Sequence, residues 1–184
     1  LYNFIKKNNG SLFLNDDDEL LVGLANNIQK TSYGLKSNLN ISITNNTPFL
    51  NITWKDTVIN SRLIGDYQFY NISLAICIGN YFKISKQKIQ FGIESYLPKN
   101  NRSEIIETED NIIIMDAYNA NPSSMKAMIN SFSKQDYANK LCILGDMLEL
   151  GEHTLDGHSA ILDLVARLNL EVIIIGKEFS KVSN

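Results

Sequence analysis

The side chains with the most chemical potential stand together at 116–122, in the string DAYNANP. Asp116, Tyr118, Asn119 and Asn121 bring a carboxylate, a phenol and two carboxamides to one point, directly after the apolar run NIIIM (111–115). Groups of this kind hold the hydroxyls, amides and amines of a polar ligand by hydrogen bonds. A second string, GDMLELGE (145–152), adds Asp146 and Glu149 after the apolar KLCILG (140–145). The same residue types also satisfy loose backbone groups and cap helices at strand ends. The residues alone leave both readings open.

Other chemistries have weaker signatures. His153 and His158 are five positions apart, which does not stack them on one helix face, and no HExxH or CxxC accompanies them, so zinc is not expected. The acidic NDDDE (15–19) lacks the spacing and glycine of a calcium loop and reads as a solvated helix start. No glycine belongs to a GxxxxGK[ST] phosphate loop. Cys77 and Cys142 both lie in apolar runs and read as free, buried thiols of a reducing compartment.

The elements that must position the polar tips follow from apolar patterning. In the second half, 111–115, 140–145 and 171–176 are short continuous apolar runs, as expected of strands buried on both faces. Between the first two, Asn121 suits an N-cap and Pro122 the first helical position. Met125, Met128, Ile129 and Phe132 then fall on one helical stripe. LDGHSAILDLVARLNL supplies the next helix. This β-α-β-α-β order predicts parallel neighbouring strands with right-handed crossovers. Ligands of such sheets bind beyond the carboxyl ends of the strands, so Asp116 and Asp146 are expected on one edge, rimming a crevice.

The first half differs. SLFLN (11–15) reads as a strand and DDDELLVGLANNI as a helix; residues 39–62 alternate as a small antiparallel ribbon. YNISLAICIGNYF (70–82) reads as a buried helix and KQKIQFGI as a shorter one capped by Ser85. The polar YLPKNNRSE (96–104) is the expected boundary, giving domains 1–97 and 98–184. The chain opens inside an apparent helix and stops as another begins, so it reads as a fragment. Its 44% hydrophobic and 20% charged residues are ordinary for a globular protein, and a net charge of −3 supplies no basic surface for nucleic acid. No apolar run approaches the ~18 residues of a membrane span.

DAYNANPSSM followed by LGDMLELGEHT resembles the Mur ligase family. The likeness extends to LFLNDDDELL, similar to the N-x-D-D stretch of that family's central domain. It extends also to LIGDYQFYNISLAICIGNYF, similar to its G-x-H-N-x-x-N-x-x-A-A helix entry. The strings are most similar to the branch that joins D-alanyl-D-alanine to UDP-N-acetylmuramoyl-tripeptide. The resemblance implies an α/β chain: a partial central ATPase domain followed by an incomplete Rossmann-like, parallel-sheet C-terminal domain. It also implies ATP-driven amide formation through an acyl phosphate, in the bacterial cytoplasm, by a monomer. The phosphate loop and the Mg²⁺ ligands are expected outside this chain. A folate-glutamate ligase of the same family and a non-catalytic nucleotide-binding module are the alternatives.

Carried over residue by residue, Asn71 matches the last Asn of the helix-entry string, near adenine. Tyr67 and Gln68 replace its H-N pair, with Gln68 able to offer an amide. Arg102 matches an interdomain Arg that reaches the ATP phosphates and is the implied catalytic residue. Asp116 matches a ribose-binding Asp; Tyr118 and Asn119 are implied on the nucleotide side and Asn121 toward substrate. Asp146 and Glu149 are candidates for holding the incoming dipeptide.

Overall fold

The computed structural model describes residues 2–183, which divide into two compact units between Tyr96 and Leu97. The first contains α1 (Tyr2–Lys7), β1 (Ser11–Asn15), α2 (Glu19–Leu24), β2 (Gln29–Tyr33), β3 (Ile41–Asn45), β4 (Asn51–Trp54), β5 (Thr57–Asn60), α3 (Gln68–Tyr81) and α4 (Lys86–Glu94). The alternating stretch forms the expected antiparallel ribbon, in the order β3-β4-β5. Its inward residues Ile41, Ile52, Trp54 and Ile59 pack with Phe69, Ile72 and Ile76 of α3 and with Ile89 of α4.

Two features of this unit depart from expectation. The helix after SLFLN is only Glu19–Leu24, because Asp17 and Asp18 in the acidic run before it accept from backbone N–H groups. Asp18 caps α2 by accepting from the Leu21 N–H, and Asp17 accepts from the N–H groups of Leu35 and Lys36 at 2.6 and 3.0 Å. That second clip closes the turn after β2, a strand parallel to β1 whose polar sequence QKTSY carries no strand pattern. Gly34 sits in the turn with φ 112°, and a Cβ there would lie 2.6 Å from the Asp17 carboxylate, so glycine is required.

The second unit contains β6 (Glu104–Glu107), β7 (Ile112–Met115), α5 (Pro122–Ser133), β8 (Leu141–Gly145), a 3-10 turn (Gly151–His153), α6 (Thr154–Arg167), β9 (Glu171–Ile175) and α7 (Lys177–Ser180). β8 and β9 pair in parallel, Cys142 opposite Val172 and Leu144 opposite Ile174. The expectation that β7 joins them as a hydrogen-bonded neighbour is corrected. Its described partner is β6, antiparallel, with Ile105 opposite Ile114. The hairpin is closed by Thr108, whose N–H donates to the Asn111 carbonyl at 2.9 Å and whose hydroxyl accepts from the Asn111 N–H at 3.0 Å. β6 has only two apolar residues, EIIE, too few to register as a strand.

The strands are also not buried on both faces. Leu144 and Ile174 pack into a core with Ile129 of α5, Ile161, Leu164 and Val165 of α6, and Phe179 of α7. Ile143 and Ile175, which point the other way, are 63% and 59% exposed. The α5 stripe faces this core through Met125 and Ile129. No described helix is long and apolar enough to cross a membrane. Both cysteines are free and buried, and burial pushes both thiols up from their ordinary pKa.

Candidate functional site

In the first unit, Gln68 opens α3 and Asn71 lies one turn on. The Asn71 amide donates to the Gln68 side-chain carbonyl at 2.7 Å, so these two candidates form one polar patch. The preceding turn is set by the N–H groups of Gln68 and Phe69, which donate to the carbonyls of Gly65 and Asp66. Asn46 steadies it by donating to the Asp66 carboxylate at 2.7 Å.

In the second unit, the chain just before β6 is folded onto the end of β7. The N–H groups of Ala117 and Tyr118 both donate to the Asn101 carbonyl, at 2.8 and 3.1 Å. Ser103 donates its N–H to the Asp116 carboxylate at 2.9 Å. Between these two clips Arg102 lies over the Tyr118 ring, its guanidinium carbon 3.6 Å from the ring centroid. Arg102 and the DAYNANP residues Asp116 and Tyr118, candidates from two stretches of sequence, therefore share one exposed shelf at a strand tip.

The remaining residues of this tip are turned to the backbone. Asn119 accepts from the Ala120 N–H at 2.9 Å and stays exposed. Asn121 is the N-cap of α5 in a capping box: its side chain accepts from the Ser124 N–H, and the Ser124 hydroxyl accepts from the Asn121 N–H. Pro122 follows at the first helical position, where a missing N–H costs nothing. The polarity of DAYNANP is thus partly architectural. Asn121 starts the helix, and Asp116 ties down the segment that carries Arg102.

The second tip is built differently. The Asp146 carboxylate accepts from the N–H groups of Glu178 and Phe179, at 3.0 and 2.9 Å, clipping α7 to the end of β8. Burial alone would raise this carboxyl, but the backbone donors of Glu178 and Phe179 outweigh it and hold the pKa below the usual carboxylate value. Gly176, at φ 130°, passes so close that a Cβ would overlap Asp146. Beneath sits His158, fully buried. Its Nε2 accepts from the Met147 N–H at 3.0 Å, and its Nδ1 lies 2.6 Å from the Thr154 carbonyl. Both ring nitrogens are thus engaged by backbone groups. The Phe179 ring stands edge-on at 4.5 Å. Because Nε2 is already engaged, its 3.7 Å approach to Asp146 is proximity rather than an ion pair. Glu149 is exposed on the loop between β8 and the 3-10 turn.

Local patterning carries no sign of this lock, since Asp146 lies more than 30 positions from the Glu178 and Phe179 N–H groups that it holds. Among the described residues no group of three or more His, Cys, Asp or Glu side chains is arranged to hold a metal ion.

Residues 101–183 match the family described as Mur ligase, glutamate ligase domain. Over 92 residues the chain is 40% identical to UDP-N-acetylmuramoyl-tripeptide–D-alanyl-D-alanine ligase of Bacillus subtilis, a match covering 49% of this chain and 20% of that protein. Its fold is similar to MurF of Acinetobacter baumannii, with TM-score 0.79 and 22% identity over 95% of this chain and 40% of that one. It is similar too to the MurF ligase of Thermotoga maritima in complex with ADP, with TM-score 0.77 and 20% identity over 97% of this chain and 44% of that one. The chain thus spans less than half the length of each of these proteins.

Proposed function

We propose that the chain is a Mur ligase, part of an ATP-dependent ligase joining D-alanyl-D-alanine to UDP-N-acetylmuramoyl-tripeptide, a reading supported by the match of residues 101–183 to the Mur ligase, glutamate ligase domain. The work is done in the cytoplasm, by a monomer. The observation that carries this reading is the shelf within the matched domain, where an exposed guanidinium is held against a strand tip beside a carboxylate and a phenol.

The chemistry has to overcome the poor electrophilicity of a carboxylate. The tripeptide carboxylate attacks the γ-phosphorus of ATP, releasing ADP and forming an acyl phosphate. The amine of D-alanyl-D-alanine adds to the acyl carbon. The tetrahedral intermediate then expels inorganic phosphate, the amine loses a proton, and an amide remains. Holding the reactants in line and neutralising phosphate charge account for most of the catalysis in such transfers. In this reading Arg102 is the catalytic residue of the chain, directed at phosphate oxygens. Gln68 and Asn71 take the adenine side, Asp116 and Asn119 the ribose side, and Tyr118 acts with Arg102. Asn121, Asp146 and Glu149 line the dipeptide side only through the loops they shape, since Asn121 and Asp146 are already engaged by backbone N–H groups.

Phosphate release from the full-length protein, with each substrate left out in turn, tests the proposal. Release is expected only when ATP, the tripeptide precursor and D-alanyl-D-alanine are all present. Release driven by a folate and glutamate would assign the chain to another branch, and no release with either set would leave a binding module.

A further inference from the structure

We infer that Tyr118 is the positioning residue for Arg102, and that its ring, rather than a ligand contact of its hydroxyl, is its contribution; this rests on the ligase reading above. The guanidinium carbon stands 3.6 Å from the ring centroid, a stacking distance well inside the ~6 Å over which cation–π attraction operates. Stacking occupies one flat face of the guanidinium. The N–H donors lie in its plane and radiate from its rim. A ring below the plane therefore fixes the direction of the fork without consuming it, which suits paired bonds to phosphate oxygens.

The backbone is shaped to produce this stack. Asn101 and Ser103, on either side of Arg102, have φ of 58° and 52°, a region disfavoured for residues with a Cβ. Both bends are held by the strand tip that carries Tyr118. Asn101 accepts from Ala117 and Tyr118, and Ser103 donates to Asp116. The segment is thus tied down on both sides of the arginine and stacked in the middle. An exposed arginine otherwise loses considerable rotamer freedom when it engages a ligand, and the stack removes part of that cost beforehand. Tyr118 is 63% exposed, so it is not retained as a core residue.

The test is a double-mutant cycle in the full-length protein, read as phosphate release with all three substrates, together with the Arg102 Nε–H proton resonance without substrates. Tyr118→Leu is expected to lower kcat about two- to fivefold, the size of an exposed cation–π contact, with little change in melting temperature. Tyr118→Phe, which keeps the ring, recovers most of that loss. In an Arg102→Ala background, Tyr118→Leu costs nothing further. The Arg102 proton is expected upfield, shifted by the ring, in wild type and Tyr118→Phe but not in Tyr118→Leu. Equal losses from Tyr118→Leu in both backgrounds, or Phe as damaging as Leu, would overturn the inference by giving Tyr118 a target of its own. An absent upfield shift would overturn it directly. If wild type releases no phosphate, the ligase reading fails, and the resonance alone decides whether the stack exists.

Discussion

Two strand tips of the same unit each begin with an aspartate, and the structure uses them in opposite ways. After β7, Asp116 is exposed and accepts from one backbone N–H of a surface segment. After β8, Asp146 is largely enclosed and accepts from two backbone N–H groups of a helix start, above a buried histidine. The first arrangement presents a guanidinium and a phenol to solvent. The second is a lock that holds α6, α7 and the β8 loop together. A carboxylate at the end of a strand is therefore no evidence of ligand binding until its hydrogen bonds have been followed.

The contrast breaks most readily at its buried end. His158→Ala should unfold the second unit far more easily. It strands the Met147 N–H and the Thr154 carbonyl and opens a cavity against Phe179, a loss of about 3 kcal/mol or more. A urea midpoint barely changed from wild type would show that the lock is dispensable. Gly176→Ala should come next, since it forces a Cβ onto Asp146 at a φ of 130°. The expected cost is roughly 2–3 kcal/mol, again read from the denaturation midpoint.

Asp146→Asn should cost about 1–3 kcal/mol, because one of the two acceptor oxygens becomes a donor facing a backbone N–H. Its pH signature is specific. The folded carboxyl titrates below its unfolded value, so its contribution is complete above the unfolded pKa of about 3.9 and is lost as pH falls through the folded pKa. Wild type should lose stability relative to Asp146→Asn as pH drops below about 4. A difference independent of pH would place the stabilisation elsewhere. Asn121→Ala, which removes the N-cap of α5, should cost only about 1 kcal/mol, with a melting-temperature shift to match. A large loss of activity without that shift would restore Asn121 as a ligand residue.

The sequence makes some of this contrast legible. Asn-Pro ahead of a helical stripe marks the start of α5, and the apolar runs mark β7, β8 and β9. β2 and β6 escape notice because QKTSY and EIIE hold too few apolar residues to show a period, and each is specified by its partner strand. The candidate site divides along the same line. Arg102 and Tyr118 could be proposed from a resemblance, but their stacking depends on backbone bends at Asn101 and Ser103 that no residue pattern announces. Asp146 resembled a site residue because its true partners, Glu178 and Phe179, lie more than 30 positions away, and local pattern reading does not reach that far.

The central claim is that the exposed tip serves chemistry and the buried tip serves stability. Turnover of Arg102→Ala in the full-length protein tests it most directly, measured as ATP-dependent phosphate release with the tripeptide precursor and D-alanyl-D-alanine present, alongside its melting temperature. A surface arginine directed at transferring phosphate should cost about 100-fold or more in kcat while stability shifts by no more than about 0.5 kcal/mol. Full turnover in Arg102→Ala, or a loss of stability large enough to account for the lost rate, would contradict the account.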